Sequence, residues 1–159
     1  MEQALSASAR RIQAALRQLG FAVQVVELPQ STRSAAEAAQ AIGCQVAQIV
    51  KTLVFRAITS DRAIVVAASG ANRVDEQRIS AWLGETITKA DADFVRQRTG
   101  YVIGGVPPIG YDHPLVTIID RDLLRHEELW AAAGTPHAVF TLSPHDLVGL
   151  TGGTVLQIC

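Results

Sequence analysis

Residues 49 to 68 constrain this chain more than any other stretch. In Ile49–Ala57 a period of two puts Ile49, Lys51, Leu53 and Phe55 on one face and Val50, Thr52 and Val54 on the other, and Ala63–Ala68 is apolar throughout. The turn Thr59-Ser60-Asp61 separates them. β-Branched residues in such runs favour strands, and a wholly apolar strand belongs inside a sheet rather than at its edge, so the two segments predict a central hairpin closed by Ser69-Gly70. One feature breaks the pattern: Lys51 stands on an otherwise apolar face.

The rest of the chain supplies elements to cover that hairpin. Leu5, Ile12, Leu16 and Leu19 recur at helical spacing, which with Gly20 as a stop predicts a helix over Ala4–Leu19. Alternation and β-branching predict a strand over Phe21–Leu28, ended by Pro29. Ser34 followed by Glu37 fits a capping box for a short helix over Ala35–Ile42, ended by Gly43. Further helices are expected at Val74–Leu83, at Asp91–Arg98 with Asp91 as cap, as one turn at Arg121–Leu124, and from Ser143-Pro144. Further strands are expected at Thr86–Thr88, Leu115–Ile119, Ala138–Leu142 and Val155–Ile158. Leu129–Ala133 has helical propensity, but the short turn Gly134-Thr135-Pro136 leads from it into an alternating segment and favours a strand. No repeat or linker divides the chain, so one domain of mixed strands and helices is expected over residues 1–159.

Composition narrows the function classes. A length of 159 residues with 48% hydrophobic residues can build a core without disulfide staples. The longest charge-free runs, Ala63–Asn72 and Thr99–Tyr111, are too short or too rich in glycine and proline for a bilayer span, and the N-terminus lacks a signal-peptide core. Cys44 and Cys159, without Cys-x-x-Cys spacing, point to a reducing cytosol rather than a disulfide framework or structural zinc. Fourteen basic against fifteen acidic residues leave a net charge of −1, which argues against a protein that neutralises phosphates along a long duplex. Local recognition stays open, because residues 1–56 carry six basic and three acidic side chains. A solvated helix face bearing Arg10 and Arg17 explains that excess equally well.

Several familiar sites fail on spacing. Gly105 and Gly110 have P-loop separation, but Tyr111-Asp112 stands where Lys-Ser/Thr is needed. His126-Glu127-Glu128-Leu129-Trp130 lacks the second histidine of a zinc-protease helix, and His113, His126, His137 and His145 show no ligand spacing. Neither a nucleophile elbow nor a reactive-cysteine context occurs, so no metal, cofactor or covalent nucleophile is expected. Two features survive. Lys51 is one of only two lysines against twelve arginines, and among Ile49, Leu53 and Phe55 its ammonium needs an anion, a carbonyl or water. A lysine that snorkels from a strand end is the competing reading. In Gly104-Gly105-Val106-Pro107-Pro108-Ile109-Gly110 the glycines permit unusual backbone angles and the prolines stiffen the chain, so main-chain groups can be held beside a ligand. A plain structural turn is the competing reading there.

Lys51 within Ile49–Phe55, the Gly105-x-x-Pro108-x-Gly110 loop, Ala71-Asn72-Arg73-Val74-Asp75, Ser143-Pro144-His145-Asp146-Leu147 and Thr151-Gly152-Gly153 together resemble the YbaK/prolyl-tRNA synthetase-associated editing domains, over nearly the whole chain. The resemblance implies a mixed α/β (α+β) fold with a central, mixed, barrel-like sheet flanked by helices. It also implies a free-standing, cytoplasmic, trans-editing deacylase that hydrolyses the ester of mischarged tRNA, most simply proline tRNA carrying alanine, cysteine or another small amino acid. Such editing is needed because one methylene is worth only about 1–3 kcal/mol in a synthetase pocket. The implied partner is the tRNA acceptor end, with prolyl-tRNA synthetase or an elongation factor as transient partners and neither membrane nor metal. Lys51 is expected near the ester or the terminal adenosine phosphate, and Gly105, Pro108 and Gly110 are expected to orient the carbonyl through the loop backbone. Thr52, Asn72, Arg73, Gly104, Ile109 and His113 are the further substrate-binding candidates, although Asn72 and Arg73 also fit a capped helix start. Water is the implied attacking group, helped by the substrate's ribose hydroxyl or, in cysteine-specific members, by a substrate thiol. The alternatives are a non-catalytic tRNA- or synthetase-binding module of the same fold and a hydrolase of free esters.

Overall fold

The computed structural model describes residues 5–159. The hairpin is its centre: β2 (Ile49–Ala57) and β3 (Ala63–Ser69) pair antiparallel from Val50↔Ser69 to Arg56↔Ala63. Every residue of β3 is buried, because packed side chains cover both of its faces. Val50 and Ala67 face a cluster with Ile12, Leu16 and Phe140, while Phe55, Ile64, Val66 and Ala68 face a second one with Ile79, Ile118 and Ile158.

Around the hairpin the sheet is mixed. β5 (Val116–Asp120) lies parallel to β3, and β8 (Thr154–Leu156) parallel to β5. On the other side β6 (Leu129–Ala132) runs parallel to β2, followed by β7 (Ala138–Leu142) and β1 (Val26–Glu27) in antiparallel pairs. A short β4 (Ile87–Lys89) branches from the same edge of β2. Helices α1 (Ala7–Gln18), α2 (Ala35–Ile42), α3 (Glu76–Leu83), α4 (Ala92–Thr99) and α5 (Pro144–Thr151) complete the mixed α/β architecture. No helix among the described residues is long and apolar enough to cross a membrane.

Local chemistry explains where elements begin and end. Asp91 accepts from the Phe94 N–H at 2.8 Å and starts α4, and Ser143 and Asp146 form a reciprocal capping box for α5. Four expectations shift by more than one residue. The first helix starts at Ala7, capped by Ser6, and the expected start at Ala4 lies outside the described residues. The strand expected over Phe21–Leu28 shrinks to Val26–Glu27. Buried Gln13 of α1 donates to the Val23 C=O and accepts from the Val25 N–H, each at 2.8 Å, so a side chain takes hydrogen bonds a ladder would have used. α3 begins two residues later than expected because Asp75 caps it by accepting from the Gln77 and Arg78 N–H groups. The last strand stops at Leu156, and the Ile158 C=O instead accepts from the Asp75 N–H at 2.7 Å. Leu129–Ala132 is a strand against its helical propensity, since β2 and β7 flank it on both edges.

Candidate active site

The outer edge of β2 is covered at both ends and open in the middle. β6 pairs with it at Ile49 and Val50, and β4 at Phe55, Arg56 and Ala57. The Gly70 N–H donates to the Ile49 C=O and the Ala57 N–H to the Arg62 C=O, which turns the odd-numbered residues of β2 toward β3. The Ala90 N–H donates to the Val54 C=O, which turns the even-numbered ones outward. Thr52 is therefore the residue whose main-chain polar groups face the gap between the two ladders. Burial also drops there, to intermediate over Lys51–Val54 within an otherwise largely buried strand.

A cavity of about 260 Å³ opens at this gap, lined by Lys51, Thr52 and Leu53 of β2, Arg33 and Ser34 before α2, Trp130–Ala132 of β6, and Ile103, Gly104 and Val106 of the glycine-proline loop. Among the described residues Lys51 and Arg33 are the only ionisable side chains in the lining, and both are cations. Of the lining hydroxyls, Thr32 donates to the Pro136 C=O at 2.9 Å and Ser34 accepts from the Glu37 N–H at 3.1 Å. The Thr52 hydroxyl is buried and has no partner among the described residues. The lining therefore offers positive charge and an apolar wall, and among the described residues it holds no nucleophile paired to a base.

Lys51 is half-buried and its ammonium meets a carbonyl. Its ammonium donates to the Asn72 C=O at 2.7 Å, and burial lowers its pKa from the ordinary lysine value while the Asp120 carboxylate pulls it back up. Asn72 lies in the turn after β3, where its side-chain amide donates to Asp120 and Asp122, each at 2.8 Å. Neither the capped-helix-start reading of Asn72 nor a side chain aimed into the cavity describes this: the side chain faces the carboxylates, and Asp75 is the cap of α3. Arg73 is exposed and outside the lining.

The loop expected to act as one unit divides between two cavities. Gly104, at φ +88°, packs on Arg33, whose Cγ would stand 2.7 Å from an added Cβ. Gly105 abuts the main chain of Thr135, 2.8 Å from where its Cβ would be, and its C=O accepts from the Gly134 N–H. Beyond Val106 the chain turns toward α1: Pro108, Ile109, Gly110 and His113 line a second cavity of about 690 Å³ with Arg11, Ala15 and Thr117. The Gly110 C=O there accepts from the Tyr101 hydroxyl at 3.2 Å. Lys51, Thr52 and Gly104 thus meet at one cavity, Gly105 braces it from behind, and Pro108, Ile109, Gly110 and His113 stand at another. Sequence reasoning missed Arg33, Val106, Trp130 and Asp120. Asp120 carried one usable signal, an acidic residue directly at the end of an apolar strand.

With the fold and cavity in view, the chain is a member of the aminoacyl-tRNA editing domain family, whose model matches residues 29–150. Among solved structures, a candidate trans-editing enzyme for prolyl-tRNA synthetase is 47% identical, with a TM-score of 0.92 and 98% of each chain covered. A structure from the computational grafting of epitope backbones onto scaffold proteins is 45% identical, with a TM-score of 0.91, and the match covers 97% of this chain and 98% of that one. The uncharacterized protein YwhH of Bacillus subtilis (strain 168) is 29% identical over 123 residues, which is 77% of this chain and 78% of YwhH.

Proposed function

We propose that this protein hydrolyses, in trans and in the cytoplasm, the ester of tRNA charged with the wrong amino acid, with proline tRNA carrying alanine, cysteine or another small amino acid as substrate. One observation carries the reading. In a chain of the aminoacyl-tRNA editing family, the cavity of about 260 Å³ has an apolar wall, and its only ionisable groups among the described residues are the two cations Lys51 and Arg33. That volume suits a small aminoacyl group, with the rest of the acceptor end lying outside. Likeness to the candidate trans-editing enzyme supports a proline-tRNA substrate.

The chemistry follows from the lining. Ester hydrolysis builds negative charge on the carbonyl oxygen, and the Lys51 ammonium, already fixed on the Asn72 carbonyl, is a preorganised cation for it. Arg33, which borders the same space, suits the terminal phosphate. Gly104 to Val106 bring main chain to the cavity wall, while Pro108, Ile109 and Gly110 hold the far limb of the loop, with His113 beyond it. Water is the attacking group, assisted by the neighbouring ribose hydroxyl, since the described residues of the lining supply no general base.

The test is a deacylation panel of alanyl-, cysteinyl-, seryl- and 2-aminobutyryl-tRNA for proline. The wild type should hydrolyse at least one, and Lys51→Ala should remain folded while losing roughly 10²–10³ in kcat. Turnover of none of them would overturn the proposal, and tight tRNA binding without turnover would replace it with a binding module.

A further inference from the structure

We propose that Asp120 and Asn72 are positioning residues for Lys51: a buried carboxylate holds an asparagine whose main-chain carbonyl fixes the ammonium at the cavity. The proposal rests on the reading of Lys51 as the cation of ester hydrolysis.

Asp120 ends β5 and is only 1% exposed. A carboxylate buried that deeply is costly unless hydrogen bonds or a cation compensate it. Three donors meet it: the Ser69 N–H at 3.0 Å and the Asn72 amide at 2.8 Å on one oxygen, and the Asp122 N–H at 2.9 Å on the other. It forms no salt bridge among the described residues, whereas Asp122 pairs with Arg125 at 3.3 Å. The Asn72 side chain is held by both carboxylates and its N–H by the Ser69 C=O at 2.9 Å, which leaves its own C=O for Lys51. A dipeptide carbonyl in a turn would otherwise be free to rotate, so this double anchoring is what gives the ammonium a defined address.

The same arrangement acts on charge. Burial favours loss of the Lys51 proton, and the charge of the Asp120 carboxylate opposes it. The charged groups of the surrounding elements include Asp120 of β5, Arg121, Asp122 and Arg125 of the following turn, Arg73 next to Asn72, and Arg33 across the cavity. Of these, Asp120 is the buried acid with no cation of its own. Parallel pairing of β3 with β5, up to Ala67↔Ile119, is what brings it beside Ser69 and the turn carrying Asn72.

The chain has only Lys51 and Lys89, so 13Cε NMR of labelled lysine reads the ammonium directly, with exposed Lys89 as reference. Asp120→Asn should move the Lys51 titration to lower pH, leave Lys89 in place, and lower deacylation kcat about tenfold or more with KM within about twofold. A folded Asp120→Asn protein whose Lys51 titrates as in wild type would overturn the proposal. Asn72→Ala keeps the main-chain carbonyl but removes its anchor, and covers the case in which Asp120→Asn does not fold. An ammonium held on the Asn72 C=O should make the two Lys51 Hε protons inequivalent in the wild type; Asn72→Ala should erase that inequivalence and lower kcat similarly, and equivalent protons in the wild type or retained inequivalence in the variant would be equally fatal. A wild type that deacylates no tRNA defeats the functional reading alone, since the two NMR readouts still decide whether Asp120 and Asn72 position Lys51.

Discussion

Thr52 carries a cost in the fold that nothing among the described residues offsets. Its hydroxyl is buried with no partner among them, and its main-chain polar groups face the gap between β6 and β4. An unsatisfied buried hydroxyl costs about 1–3 kcal/mol, so Thr52→Val, which keeps the shape, should raise the urea midpoint. If the hydroxyl meets the aminoacyl group, kcat/KM should fall about tenfold in the same variant, a loss worth about 1.4 kcal/mol. Opposite signs of the two effects are the expected result. A variant with unchanged kcat/KM would reduce Thr52 to packing. Lys51 differs in being legible beforehand, because a lone lysine among Ile49, Leu53 and Phe55 demands a partner wherever it is placed. Which partner it takes was not legible, since the Asn72 carbonyl reaches it only through the turn that follows β3.

At the scale of elements, the glycine-proline loop is held by contacts its own residues do not announce. Gly105 lies so close to Thr135 that a Cβ would stand 2.8 Å from main-chain atoms of that turn, which cannot step aside as a flexible side chain can. Gly105→Ala should therefore destabilise the protein by about 1–3 kcal/mol and displace the loop from the cavity edge, lowering deacylation as well. Matched denaturation midpoints and rates for variant and wild type check both effects. An unchanged midpoint would mean that the loop does not bear on Thr135 in solution. Strand β1 makes the complementary point. Alternation over Phe21–Leu28 is a sound strand pattern, yet buried Gln13 captures the Val23 and Val25 main-chain groups, and no local pattern in those eight residues can report a competitor on α1.

Across the whole molecule, the ionisable groups inside the protein set how stability responds to alkali. The Tyr111 hydroxyl donates to the Pro107 C=O, and burial raises its pKa far above the ordinary tyrosine value; Tyr101 is raised as well. An unfolded phenol titrates near 10, so above about pH 10 the unfolded chain releases protons that the folded one retains, and stability must fall. Lys51 acts in the opposite sense, because its pKa is lowered on folding and its contribution to stability rises with pH up to the unfolded lysine value. Two tyrosines and Cys44, whose thiol burial also pushes up, against one lysine predict a net fall in urea midpoint between about pH 9 and about pH 11. Tyr111→Phe should lose about 1 kcal/mol near neutrality with its hydrogen bond, and then show a shallower decline. Parallel alkaline slopes in the two proteins would contradict this. The sequence by itself determined the central hairpin, most helix starts, the strand at Ala138–Leu142 and the prominence of Lys51, because periodicity, caps and a misplaced charge are local and act within a few residues. Tertiary structure alone decided that the loop divides between two cavities, that Arg33 joins Lys51, and that Asp120 stands behind Asn72. Those juxtapositions depend on strand order and on contacts between residues far apart in the chain, for which a sequence carries no local signal.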